Sequence, residues 1–212
     1  MKNYISTFAV IMLFLSSVNI YSQNSILWGN LDKGKYNVGF KVIEKYDETR
    51  FIDSGKSHRP VQISFWYPDP KVNSEKSLLY KDYISLTAYE INFSSSTDKD
   101  KNDVVEKYIN PLTSNGISAE SAWTLLSSEM EAVENAENAE GYFPLVIIAP
   151  GNFHPAANLS ILSEYLASHG FCVASCSSPT RITGPITDST QIYKYALDQR
   201  DDMYFIYNEL KN

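Results

Sequence analysis

The sequence predicts a mixed α/β sheet in which two antiparallel strands lead into a parallel strand–helix–strand unit. Three observations carry that prediction. Two stretches near the N-terminus, Tyr36–Tyr46 and Val61–Pro68, alternate apolar and polar residues. A continuous apolar run lies between Pro144 and Pro150, and a second, Phe171–Ser177, follows after an amphipathic segment that ends at Gly170. Alternation at period two marks strands with one buried face, whereas an unbroken apolar run bounded by proline suits a strand covered on both faces of a parallel sheet.

Residues 1–22 read as an export signal and not as part of the fold. Lys2 supplies a basic start, Phe8–Leu15 an apolar core, and Val18–Ser22 ends in a small residue suited to cleavage. The apolar core is shorter than the roughly 20 residues that span a bilayer, so no stable membrane anchor is expected after cleavage. The mature chain, 23–212, is then secreted or periplasmic. Intact-mass analysis of the exported protein should find Gln23 at its N-terminus; a mature species that still carries Lys2 would refute cleavage after Ser22.

Composition narrows the partners. The formal charge is −7 and no Lys/Arg-rich run occurs, so the electrostatic footprint that neutralises phosphates is missing and nucleic acid is not an expected partner. Cys172 and Cys176 stand four positions apart in one predicted strand, about 13 Å, too far to bridge. Their spacing is not that of a zinc site either, and neither metal nor cofactor is expected.

In the first strand Val38, Phe40 and Val42 share a face, and in the second Val61, Ile63, Phe65 and Tyr67 do. The polar stretch between them, closed by Gly55 and Pro60, makes them an antiparallel hairpin. Residues 71–141 read as a helical insertion over the sheet. A short helix, Asn102–Ile109, stops before Pro111, and a longer one, Ser118–Ala136, is capped by Ser118 or Ser121. The longer helix sets Ala122, Leu125, Leu126, Met130 and Val133 on one stripe and ends in a solvated acidic tail. The helix between Ala157 and His169 turns Leu159, Leu162 and Leu166 inward, with Gly170 as the residue that ends it. A last helix, Gln191–Lys211, aligns Met203, Ile206, Tyr207 and Leu210.

Three segments, "YNVGFKVIE…RPVQISFWYP", "FPLVIIAPGN…LSEYLASHGFCVAS" and "LDQRDDMYFIYNEL", resemble the α/β-hydrolase superfamily, in particular its platelet-activating-factor acetylhydrolase-like and dienelactone-hydrolase-like serine esterases. The resemblance implies an α/β-hydrolase-like mixed sheet and an exported carboxylic-ester hydrolase that works through an acyl-enzyme on a small ester or lipid-like substrate. It implies that the backbone N–H of Asn152 belongs to the oxyanion hole. Gly151, lacking Cβ, would let the backbone approach the substrate and adopt an unusual φ. Phe153 and His154 would stand beside the substrate. The family usually has histidine where this chain has Pro150, which keeps the donor but removes a side-chain anchor for the loop.

The family's nucleophile sits in a G-x-S-x-G elbow, followed by its acid and its histidine. No such elbow occurs here. Ser57 and His58 fall in the early hairpin, Ser175, Ser177 and Ser178 end the fourth strand one strand too early, and His58, His154 and His169 all precede the position of a triad histidine. A cysteine nucleophile would need an exposed thiol, and both cysteines lie mid-strand. The expectation is therefore the N-terminal portion of a serine esterase, truncated after the fourth strand and its following helix, lacking the triad and inactive alone. The alternative is a secreted, non-catalytic binding protein built on half of that fold. An apolar, unpaired edge at Leu145–Ala149 favours the former.

Overall fold

The computed structural model describes residues 25–52, 55–70, 76–94, 96–182 and 184–211. The predicted signal segment lies outside them. No described helix is long and apolar enough to cross a membrane. The strands are β1 (Asn37–Ile52), β2 (Ser57–Asp69), β3 (Ser77–Leu79), β4 (Glu129–Glu134), β5 (Leu145–Ile147) and β6 (Cys172–Cys176), in the order β3-β4-β1-β2-β6-β5. The α-helices are α1 (Tyr80–Ser85), α2 (Asp98–Ser114), α3 (Ala119–Leu126), α4 (Ser160–Ser168) and α5 (Ser189–Leu210).

The mixed α/β sheet is present as predicted. β1 and β2 form a long antiparallel hairpin, with Val38 opposite Pro68 and Tyr46 opposite Pro60. β6 joins β2 antiparallel, and β5 joins β6 parallel through α4. Both faces of the sheet are covered. Val38, Phe40, Trp66 and Val173 meet α1 to α4, while Val61, Ile63, Ala174 and Cys176 meet Ile206 of α5. β2 is consequently buried on both faces despite its alternating sequence, with even Gln62 and Ser64 enclosed. Both cysteines are free.

The segment between the two halves differs most from expectation. It holds helices, as predicted, but also β3 and β4, which extend the main sheet beyond β1. The predicted helix Ser118–Ala136 is α3 only as far as Leu126; Ser127 caps it and β4 follows, parallel to β1. Leu126, Met130 and Val133 fit a helical stripe by spacing, but Met130 and Ala132 also satisfy a strand face, and pairing with β1 decides between the two. The acidic tail therefore begins inside a strand. α2 is longer than predicted at both ends. Thr97 and Asp100 form a reciprocal capping box before it, and Pro111, expected to lie beyond its end, sits inside it near the C-terminus, where the missing N–H forgoes one bond to the carbonyl a turn earlier.

The predicted leucine stripe of α4 holds only in part, with Leu166 packed against the core. Leu162 is exposed, and Ser160, Ser163, Glu164, Ala167 and Ser168 face inward. Small residues let the helix lie close to the sheet, and Glu164 finds four donors there: Tyr83 Oη at 2.7 Å, Trp28 Nε1 at 3.2 Å, and the backbone N–H groups of Glu131 and Ala132 at 3.1 and 3.2 Å. Gly170 follows with φ +93°, the left-handed residue expected at this helix end. In α5 the buried apolar residue is Ile206, with Met203, Phe205 and Leu210 beside it, whereas Tyr207 turns outward.

Candidate active site

Parallel strands leave their last backbone groups unpaired at the C-terminal edge, and loops that cross that edge form the binding crevice of open α/β sheets. Here the final rung is the Ile148 N–H on the Ala174 carbonyl at 2.9 Å. The chain beyond it turns over the edge through Pro150–His154. His154 N–H closes the turn on the Gly151 carbonyl at 2.8 Å, and Ile182 N–H holds the Asn152 carbonyl at 3.0 Å. The Gln199 amide of α5 donates to the Pro150 carbonyl, and Ala156 N–H donates to Ser177 Oγ at 2.9 Å. The loop is thus tied to β6, to the segment after β6 and to α5.

All four residues predicted for the site lie in this turn. The Asn152 N–H has no acceptor among the described residues. Gly151 does not adopt a positive φ, so the expected unusual backbone torsion is absent. A Cβ there would stand 3.1 Å from the ring of the exposed His154, so a larger residue would ask only for a small shift of that side chain. Phe153 is half exposed, and the exposed His154 shares a 2.9 Å hydrogen bond between Nδ1 and the Asn158 amide.

The serines and histidines do not assemble into a nucleophile–base pair at this edge. Ser177 accepts the Ala156 N–H, Ser178 accepts Arg59 Nη2 at 2.9 Å, and the buried Ser175 hydroxyl has no partner among the described residues. His58 packs its ring on Phe51 at the hairpin tip. His169 caps α4 at the opposite end of the unit, where its Nδ1 meets the Tyr165 carbonyl and its chain neighbour Ser168. Both thiols are pushed up by burial, so neither is an activated nucleophile.

A polar network that the sequence does not announce lies under the same edge. Arg59, at the start of β2, is 3% exposed and grips Asp202 of α5 side-on, Nε to Oδ1 at 2.6 Å and Nη2 to Oδ2 at 2.7 Å. Arg50 reaches Asp202 at 2.9 Å and Asp47 at 2.6 Å. Nearby, Arg181 pairs with Glu90, whose carboxyl is pushed up by burial against the opposing pull of that guanidinium. A buried Arg at a strand start and paired acids one helical turn apart, Asp198 and Asp202, are the only sequence signals for this network, and neither names its partner.

No family model matches the chain, and no curated protein matches it. Among solved structures, a ferulic acid esterase from Streptomyces cinnamoneus matches with a TM-score of 0.56 at 20% identity, over 84% of this chain and 47% of that one. The likeness is one of fold, that of a mixed sheet with helices on both faces. The chain spans about half the length of that esterase.

Proposed function

We propose that this chain is the portion of an exported serine carboxylic-ester hydrolase, of the platelet-activating-factor acetylhydrolase-like and dienelactone-hydrolase-like kind, that carries the oxyanion loop. The observation that supports it is the Asn152 N–H, without an acceptor among the described residues, at the C-terminal edge of β5 in a loop anchored by Ile182, Gln199 and Ser177. A donor fixed before the reaction costs no reorganisation when charge develops on the ester oxygen, which is how such groups lower the barrier. In this reading the carbonyl of a small ester or lipid-like substrate lies over Gly151, where the missing Cβ leaves room. The serine, its acid and its histidine come from outside these 212 residues, and the chain alone does not turn over esters.

The test compares two substitutions in the complete enzyme. Asn152→Ala keeps the N–H and should retain most activity. Asn152→Pro deletes the donor and should lower kcat by about a hundredfold or more, with KM changed far less. Equal activity of two folded variants would remove Asn152 from the oxyanion hole.

A further inference from the structure

Next to the oxyanion loop, between the tip of the β1–β2 hairpin and the start of α5, lies a cavity of ≈ 320 Å³. That is within the range of small-molecule sites. Its walls are apolar: Phe51 and Ile52 from the hairpin, with Ile91 and Pro179 facing them. Its polar floor is Arg59, Thr180 and Asp198. Thr180 belongs to the segment whose Ile182 holds Asn152, and Asp198 precedes the glutamine that holds Pro150. The cavity therefore opens on the same edge as the loop.

The floor already holds one hydroxyl between its charges. Thr180 Oγ1 accepts from Arg59 Nη2 at 3.2 Å and donates to Asp198 Oδ2 at 2.9 Å, so a hydroxyl bridges the guanidinium and the carboxylate. One donor and one acceptor remain. Arg59 directs Nε and Nη2 to Asp202, Ser178 and Thr180, and its Nη1 has no acceptor among the described residues. Asp198 Oδ1 likewise has no donor among them. The charges nearby offset one another, Arg59 and Arg50 against Asp202 and Asp47, with Lys194 at the rim against Asp198. An anion gains little in such surroundings, whereas a neutral hydroxyl accepts from Nη1 and donates to Oδ1 at once.

We propose that this cavity binds a ring bearing a free hydroxyl, with the ring between Phe51, Ile52, Ile91 and Pro179 and the hydroxyl bridging Arg59 and Asp198. The proposal deepens the reading of this edge as the substrate side. It is measured by binding and not by turnover, so its failure leaves the Asn152 assignment standing.

Titration calorimetry of the whole chain with 4-ethylphenol, 4-ethylcyclohexanol, 4-ethylanisole and 4-ethylbenzoate tests it. At least one of the two hydroxyl compounds should bind about tenfold tighter than the anisole, which cannot donate. Preference for the phenol assigns an aromatic ring, and preference for the cyclohexanol an alicyclic, sugar-like one. Asp198→Asn should shrink the gap to the anisole below about threefold. Ile91→Trp fills the cavity from its exposed wall without touching the network and should abolish binding. Equal binding of hydroxyl and methoxy compounds, tightest binding of the benzoate, no binding of either hydroxyl compound at concentrations on the order of millimolar, or binding unchanged in Ile91→Trp would each overturn the proposal.

Discussion

Replacing Asp202 by alanine should destabilise the protein by about 3–5 kcal/mol, the cost typical of breaking a buried ion pair from one side. Asp202 is fully buried and receives two guanidinium groups, Arg59 in side-on geometry and Arg50 at 2.9 Å. Without the carboxylate, Arg59 is left charged, 3% exposed and unable to deprotonate. The loss belongs to the orphaned arginine more than to the pair itself. Combining Arg59→Met with Asp202→Leu should therefore recover much of it, because apolar residues of similar volume often replace a buried pair at little net cost. Urea unfolding followed by the fluorescence of Trp28, Trp66 and Trp123 compares wild type, Asp202→Ala and the double variant. A loss below about 1 kcal/mol for Asp202→Ala would mean that the pair behaves as a solvated surface bridge.

The second large effect depends on pH. Burial raises the Glu164 carboxyl from 4.5 to about 7, even though the Tyr83 hydroxyl and three N–H groups favour its charged form. Between those values the folded state holds a proton that the unfolded state has released, so stability is greatest below about pH 4.5 as far as this group is concerned and falls as pH rises to about 7. At 1.36 kcal/mol per unit the full change is about 3 kcal/mol. Glu164→Gln cannot titrate and should flatten that slope. It should also cost about 2–4 kcal/mol at pH 5, since its NH₂ would face donors that need an acceptor. Urea midpoints at pH 5 and pH 7.5 separate the two contributions. Parallel pH profiles for wild type and variant would show that Glu164 does not titrate in this window.

How far the fold can be read from the sequence depends on how local its signals are. β1, β2, β5, β6 and the end of α4 at Gly170 follow from periodicity, proline boundaries and one left-handed glycine, all of which act within a few residues. β4 does not, because its apolar residues suit a helix and a strand alike and only pairing with β1 selects the strand. Glu164 and Asp202 were hidden for a related reason. A buried acid looks like a surface acid until its donors are known, and Arg59 lies 143 positions from Asp202. The position of Gly151 and Asn152 was legible as a loop at a strand end. The bonds that hold that loop come from Ser177, Ile182 and Gln199 and required the tertiary structure.

The placement of β4 also sets an order of folding. β1 has β2 on one side, from the Ile52–Ser57 pair onward, and β4 on the other, where Val38 meets Ala132, 94 positions away. Closing the longer loop costs about 2–3 kcal/mol more chain entropy than closing the hairpin. The hairpin therefore forms first, on the microsecond scale usual for such units, and β1 keeps a bare edge until residues 129–134 arrive. During that interval the chain is most open to pairing with a second copy of itself. Once β4 docks, Lys33 closes on Glu131 at 2.7 Å, and the Tyr67 hydroxyl binds the Ala136 carbonyl at 2.7 Å. These late contacts act as latches that slow unfolding without speeding the search for the native state.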